Sequence, residues 1–107
     1  MKITVVGAGA IGGYLGARLA RAGNEVSFIA RNRNLQAINA NGFKLILEDG
    51  SEEHTPAGAT LRAVQHCAEA GEQDVVLLTV KAHQVKDLLP DLRALFGPQT
   101  SVVTLIN

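Results

Sequence analysis

The first turn of this chain narrows its fold more than any other feature. Lys2-Ile3-Thr4-Val5-Val6 runs straight into Gly7-Ala8-Gly9-Ala10-Ile11-Gly12, a β-branched run followed by G-x-G-x-x-G, and a helical pattern begins at once. Strand, glycine turn and helix in that order form a fingerprint for dinucleotide binding, and each glycine has a physical job. Gly7 permits the tight turn out of the strand, where a side chain would strain the backbone. Gly9 allows the backbone to approach a pyrophosphate, and Gly12 lets the helix lie close to the sheet. The helix directs unpaired N–H groups and the positive end of its dipole at the phosphates. Glycine turns are common, so the motif alone has a bland alternative, a structural turn in some other α/β domain. Its position between a strand and a helix, with a second strand following, favours the dinucleotide.

Strand and helix patterns alternate along the rest of the chain. Residues 2–6 read as a nearly continuous apolar strand, the pattern of a parallel sheet covered on both faces. From Ala10 to Ala22 the larger apolar residues Ile11, Leu15 and Leu19 recur every four positions, which predicts a helix packed on that sheet, ended by Gly23. Glu25 to Ala30 gives a second strand. Asn34 can cap a short helix that turns Leu35 and Ile38 inward and ends at Asn41-Gly42. Phe43 to Leu47 reads as a third strand, and Asp49-Gly50 is a hairpin signal that sends Glu52 to Pro56 back antiparallel. Leu61 to Ala70 reads as a helix, with Leu61, Val64 and Ala68 on one face and Gly71 after it. Asp74 to Val80 is a buried strand whose first residue caps the preceding turn. Gln84 to Phe96 is helical by pattern but interrupted by Pro90, which predicts a kink or two short helices. A last strand starts at Ser101. The fold class is therefore α/β, a Rossmann-type, mainly parallel sheet with helices on both faces.

At 107 residues the chain is at most one domain, and it ends inside an apolar strand pattern, Val102 to Asn107. The expectation is a dinucleotide-binding domain over residues 1–107 whose partner domain lies outside this sequence. Ten basic and ten acidic residues balance, and no basic stripe argues for nucleic acid or a membrane surface. The one cysteine, Cys67, excludes an intrachain disulfide. No apolar run is long enough to span a bilayer, and Arg18 and Arg21 fit a signal peptide badly, so a cytoplasmic location is expected.

The end of the second strand speaks to the nucleotide. A site for NAD places an acidic residue about 20 positions beyond the glycines to receive the ribose hydroxyls. Here the strand ends Phe28-Ile29-Ala30-Arg31-Asn32-Arg33, with no carboxylate in that window. An arginine attracts the additional 2′-phosphate of NADP and can bond it in bidentate fashion. Arg31 is the candidate, with Asn32 and Arg33 as helpers; the alternative is a solvated loop. The missing carboxylate also counts against an FAD-type site.

These residues, with Thr79-Val80-Lys81-Ala82-His83-Gln84 after the Asp74–Val80 strand and Thr104-Leu105-Ile106-Asn107 at the end, resemble the ketopantoate reductases (2-dehydropantoate 2-reductases). The resemblance covers the whole chain, and T-V-K-A-x-Q followed by T-L-x-N is more specific than the glycine motif. It implies an NADPH-binding Rossmann domain followed by a helical domain, with the active site in the cleft between them. The reaction implied is reduction of 2-dehydropantoate to (R)-pantoate, on the way to pantothenate and coenzyme A. By position, Gly7, Ala8, Gly9, Ala10, Ile11 and Gly12 would hold the pyrophosphate, and Arg31 with Asn32 the 2′-phosphate. Lys81 would stand in the cleft beside the cofactor, and Asn107 near the nicotinamide ribose and substrate. Both count as cofactor-binding and catalytic candidates. The family's catalytic lysine and substrate-binding carboxylate belong to the helical domain and are not in this sequence. The implied partner is a small 2-keto acid, and a homodimer is compatible with the sequence.

Lys81 also has a rationale of its own. Ligands of open α/β sheets bind beyond the carboxyl ends of the strands, where a long cation suits an anionic ligand. The plain alternative is a solvated lysine at a strand–helix junction. His83 invites a general-acid role but fits ordinary capping or packing better. His66 beside Cys67 lacks a third ligand nearby, so no metal is expected. Two other functions stay open: a nucleotide-sensing module without chemistry, and an NADP-dependent reductase of another keto acid.

Overall fold

The computed structural model describes residues 1–7 and 9–105. Its frame is a five-stranded, all-parallel sheet in the order β5-β2-β1-β6-β7. The strands are β1 (Lys2–Val6), β2 (Glu25–Ile29), β5 (Leu61–Val64), β6 (Val75–Leu78) and β7 (Ser101–Thr104). A separate antiparallel hairpin pairs β3 (Phe43–Ile46) with β4 (Glu52–Thr55). The helices are α1 (Ala10–Arg21), α2 (Asn32–Asn41), α3 (Cys67–Ala70) and α4 (Ala82–Leu92), the last tightening into a 3-10 turn at Arg93–Leu95.

The pleat explains why the strands read as apolar runs. Alternate residues point to opposite faces, and both faces are covered. Ile3, Val5, Val26, Phe28, Leu61, Ala63 and Leu77 form one apolar layer with Ala20 of α1 and Ile38 of α2. Val6, Val76 and Leu78 form the other, with Cys67 of α3, Leu92 of α4 and Leu95 of the 3-10 turn. Both layers contain fully buried side chains, so β1, in the middle, is shielded on each side.

Helix α1 buries a different face from the one its large residues suggest. Gly12, Gly13, Gly16, Ala17 and Ala20 are buried, Leu15 and Leu19 are half-buried, and Ile11 is 58% exposed. The small residues bring the helix close enough to the sheet for Phe28 to fill the space beneath Gly16 and for Phe43 to lie against Gly13. The Phe28 and Phe43 rings stack at 4.6 Å between centroids, which seats the hairpin under α1. Each internal glycine costs the helix roughly 1 kcal/mol of intrinsic propensity, a cost accepted here for close packing. Arg18 and Arg21 of α1 reach Glu53 of the hairpin at 3.4 and 3.5 Å.

Four further readings of the sequence need correction. Leu61–Ala70 is not one helix. Its first four residues are strand β5, paired parallel with β2, and only Cys67–Ala70 is helical. Leu61 and Ala63 are buried on one face while Arg62 is exposed, a strand alternation too short to stand out beside a coincidental three- and four-residue spacing. Helix α2 begins at Asn32, preceded by Arg31, rather than being capped by Asn34. Helix α4 continues through Pro90 to Leu92 instead of breaking there. Pro90 removes one helical N–H, and the Lys86 carbonyl that would have accepted it belongs to an exposed residue, where water can take the donor's place. Asp74 caps no turn; its carboxylate accepts the Lys2 N–H at 2.7 Å and ties the start of β6 to the start of β1.

The outer strand β5 is secured by a side chain. Asn39 of α2 donates to the Ala63 carbonyl at 2.9 Å and accepts the Ala63 N–H at 2.8 Å, imitating a neighbouring strand on an edge that would otherwise stay open. Among the described residues, no helix is long and apolar enough to cross a membrane.

Candidate functional site

The strand order fixes where a ligand can sit. From β1 the chain passes through α1 to β2 and on to β5 on one side, then crosses back to β6 on the other side of β1. The connections leave in opposite directions from the β1/β6 boundary, and a crevice opens at the carboxyl ends there. Two clefts meet at that edge and share Val80 as a wall. One, of about 610 Å³, runs from Gly7 past Ala30 and Arg31 to Gln84, with His66 and Asp91 on its far side. The other, of about 640 Å³, is lined by Gly9, Ala10, Ile11, Gly12, Lys81 and Leu105.

The glycine turn separates into distinct physical roles. Gly7 has φ of +101°, in the left-handed region that glycine favours, and a Cβ there would come within 2.8 Å of the Thr79 hydroxyl. Gly12 is enclosed: a Cβ would lie 2.5 Å from the Gly7 carbonyl and 2.8 Å from the same hydroxyl. Gly9 has open space, with nothing within 4 Å of where a Cβ would be. Of the three motif glycines it is the one that packing among the described residues does not require, and it leaves room for a group in the cleft it lines. A diphosphate fits that cradle: an exposed turn, a bare backbone, and a helix start with no side-chain cap and no acidic residue in its first turn.

The cations stand on either side. Arg31, at the exit of β2, is exposed and precedes α2 with an extended backbone. Asn32 follows with φ of +50°, a left-handed conformation that asparagine tolerates better than most residues. Lys81, at the exit of β6, is exposed and precedes α4, its N–H donating to the Gln84 side chain at 3.1 Å. The structure thus places Gly7, Gly9, Ala10, Ile11, Gly12, Arg31, Asn32 and Lys81 along one edge of the sheet. Ala8 and Asn107 lie outside the described residues.

Thr79 went unassigned in the sequence. Its hydroxyl donates to the Gly7 carbonyl at 2.6 Å and lies 2.9 Å from that of Val6. The available signal was a polar β-branched residue just past a buried apolar strand, where a half-buried hydroxyl must find an acceptor. Cys67 is a different case. Burial, with Asp91 beside it, pushes its thiol up to about 12. It stays a neutral, packed thiol near neutral pH and is no nucleophile.

A family model described as "Ketopantoate reductase PanE/ApbA" matches residues 3–107. The chain belongs to the ketopantoate reductase family. It is 50% identical, over its whole length, to a 2-dehydropantoate 2-reductase of Mesorhizobium japonicum, 32% of which it covers. The 2-dehydropantoate 2-reductase structure from Geobacter metallireducens superposes on all of the chain with a TM-score of 0.88 at 33% identity, over 34% of its own length. A ternary structure of D-mandelate dehydrogenase with NADH and anilino(oxo)acetate superposes with a TM-score of 0.81 at 32% identity, again over all of this chain and 34% of that one. The chain spans about a third of the length of these relatives. Its described residues have the mainly parallel, Rossmann-like α/β fold of that family's solved structures.

Proposed function

We propose that residues 1–107 form the NADPH-binding domain of an oxidoreductase that reduces 2-dehydropantoate to (R)-pantoate, in the synthesis of pantothenate and coenzyme A. The observation that carries this reading is Arg31, an exposed cation at the exit of β2, beside the glycine turn and in place of a ribose-binding carboxylate. When bound, the cofactor supplies the hydride that reduces the ketone. This chain's own residues bind and orient. Gly7, Ala8, Gly9, Ala10, Ile11 and Gly12 surround the diphosphate, Arg31 and Asn32 hold the 2′-phosphate, and Lys81 and Asn107 align the nicotinamide end with the keto acid. The proton for the developing alkoxide comes from a group outside residues 1–107, which span about a third of the length of the relatives they match.

The D-mandelate dehydrogenase neighbour supports a second reading, in which the same domain serves another 2-keto acid. Turnover by the full-length polypeptide separates the two. NADPH oxidation is expected to be faster with 2-dehydropantoate than with an aryl 2-keto acid. The isolated domain is expected to reduce neither. Lys81→Ala in the full-length protein is expected to lower kcat/KM by about tenfold without changing thermal stability, because the side chain is exposed and acts on bound ligand. Preference for the aryl acid would overturn the pantoate assignment.

A further inference from the structure

The geometry points to Thr79 as a positioning residue of the nucleotide site, one that acts through the glycine turn rather than by touching the ligand. This rests on the nucleotide-binding reading above and deepens it. Thr79 stands where β6 leaves the sheet, and its backbone N–H donates to the Val6 carbonyl at 2.9 Å. Its hydroxyl adds a contact of 2.6 Å to the Gly7 carbonyl and one of 2.9 Å to Val6. Three contacts therefore stitch the exit of β6 to the exit of β1 at the mouth of the crevice.

The turn is built around that hydroxyl. Cβ atoms at Gly7 and at Gly12 would each come within 2.8 Å of the Thr79 oxygen. Two of the three motif glycines are thus bare partly because Thr79 fills the space their side chains would take. With the Val6 and Gly7 carbonyls both held by Thr79, the peptide planes on either side of Gly7 are fixed, and with them its left-handed φ of +101°. That conformation decides where the following N–H groups and the start of α1 aim. Thr79 also begins the Thr79-Val80-Lys81 segment along the second cleft, so one hydroxyl sets the spacing between the phosphate cradle and the Lys81 wall.

The test compares Thr79→Ala with Thr79→Ser, titrating each with NADPH and separately with adenosine 2′-monophosphate. The second ligand keeps the 2′-phosphate and lacks the diphosphate. The alanine variant is expected to bind NADPH about tenfold more weakly, the worth of one well-placed hydrogen bond. Its affinity for the monophosphate is expected to stay within about twofold of the parent. Serine, which retains the donor, is expected to restore NADPH binding. If the alanine variant does not fold, Thr79→Val gives the same comparison against serine. Equal weakening of both ligands, parent-like NADPH binding by alanine, or failure of serine to restore it would overturn the positioning role. A parent protein that binds neither ligand would instead overturn the nucleotide reading, and this inference with it.

Discussion

Gly9→Val is expected to weaken nucleotide binding severely while leaving the protein folded. Nothing lies within 4 Å of the position a Cβ would occupy, and the backbone at Gly9 is extended at φ −74°, a conformation valine adopts. Replacing a glycine at a helix start forfeits some capping and should cost under about 1 kcal/mol. The branched side chain instead fills the space a diphosphate needs, so NADPH affinity should fall by about a hundredfold, or roughly 2.7 kcal/mol. Gly12→Val makes the contrast. Its Cβ would lie 2.5 Å from the Gly7 carbonyl, 2.8 Å from the Thr79 hydroxyl and 3.1 Å from the Val5 side chain, so it is enclosed on several sides. Overpacking of that kind costs about 1–3 kcal/mol, so stability and binding should fall together. Thermal melts and NADPH titrations on both variants check the distinction. Equal destabilisation of the two would show that the open and enclosed glycines have been assigned wrongly.

Gly16→Ala is expected to cost more than its helix propensity suggests, and Phe28→Leu should recover part of the loss. Alanine is the better helix former by about 1 kcal/mol, yet a Cβ at Gly16 would overlap the Phe28 ring. That ring is fully buried, with Phe43 stacked on it and Val5 close by, so it has no room to retreat. A net loss of about 1–3 kcal/mol follows for Gly16→Ala. Phe28→Leu alone leaves a cavity and is also destabilising. Together the two changes trade ring volume for methyl volume, so the double variant should be less destabilised than the sum of the singles, with a coupling of about 1 kcal/mol or more. Urea unfolding of the four proteins measures it. Additive costs would mean that helix and ring do not compete for the same space.

How much of this was legible in the sequence follows from where the information lies. The β1–turn–α1 unit was readable because a continuous apolar strand and three spaced glycines are local signals. Arg31 and Lys81 were placed at the correct strand exits for the same reason. Which face of α1 is buried was not readable, because it depends on Phe28 and Phe43, distant in sequence, occupying room that Gly13 and Gly16 vacate. Strand β5 was hidden because a four-residue strand followed closely by a four-residue helix mimics a single helix, and only pairing with β2 and the Asn39 contacts reveal it. The role of Thr79 was not readable from its motif, since its meaning is a hydrogen bond across 72 residues.

The central claim is that this edge of the sheet binds NADPH and that Arg31 selects it by its 2′-phosphate. The most direct test titrates the protein with NADPH and NADH side by side and repeats both with Arg31→Ala. A charge-assisted contact at an exposed site should give the parent a preference for NADPH of about tenfold or more. The alanine variant should lose that preference while its NADH affinity stays unchanged. Equal affinity of the parent for the two nucleotides, or an NADPH preference that survives Arg31→Ala, would contradict the account.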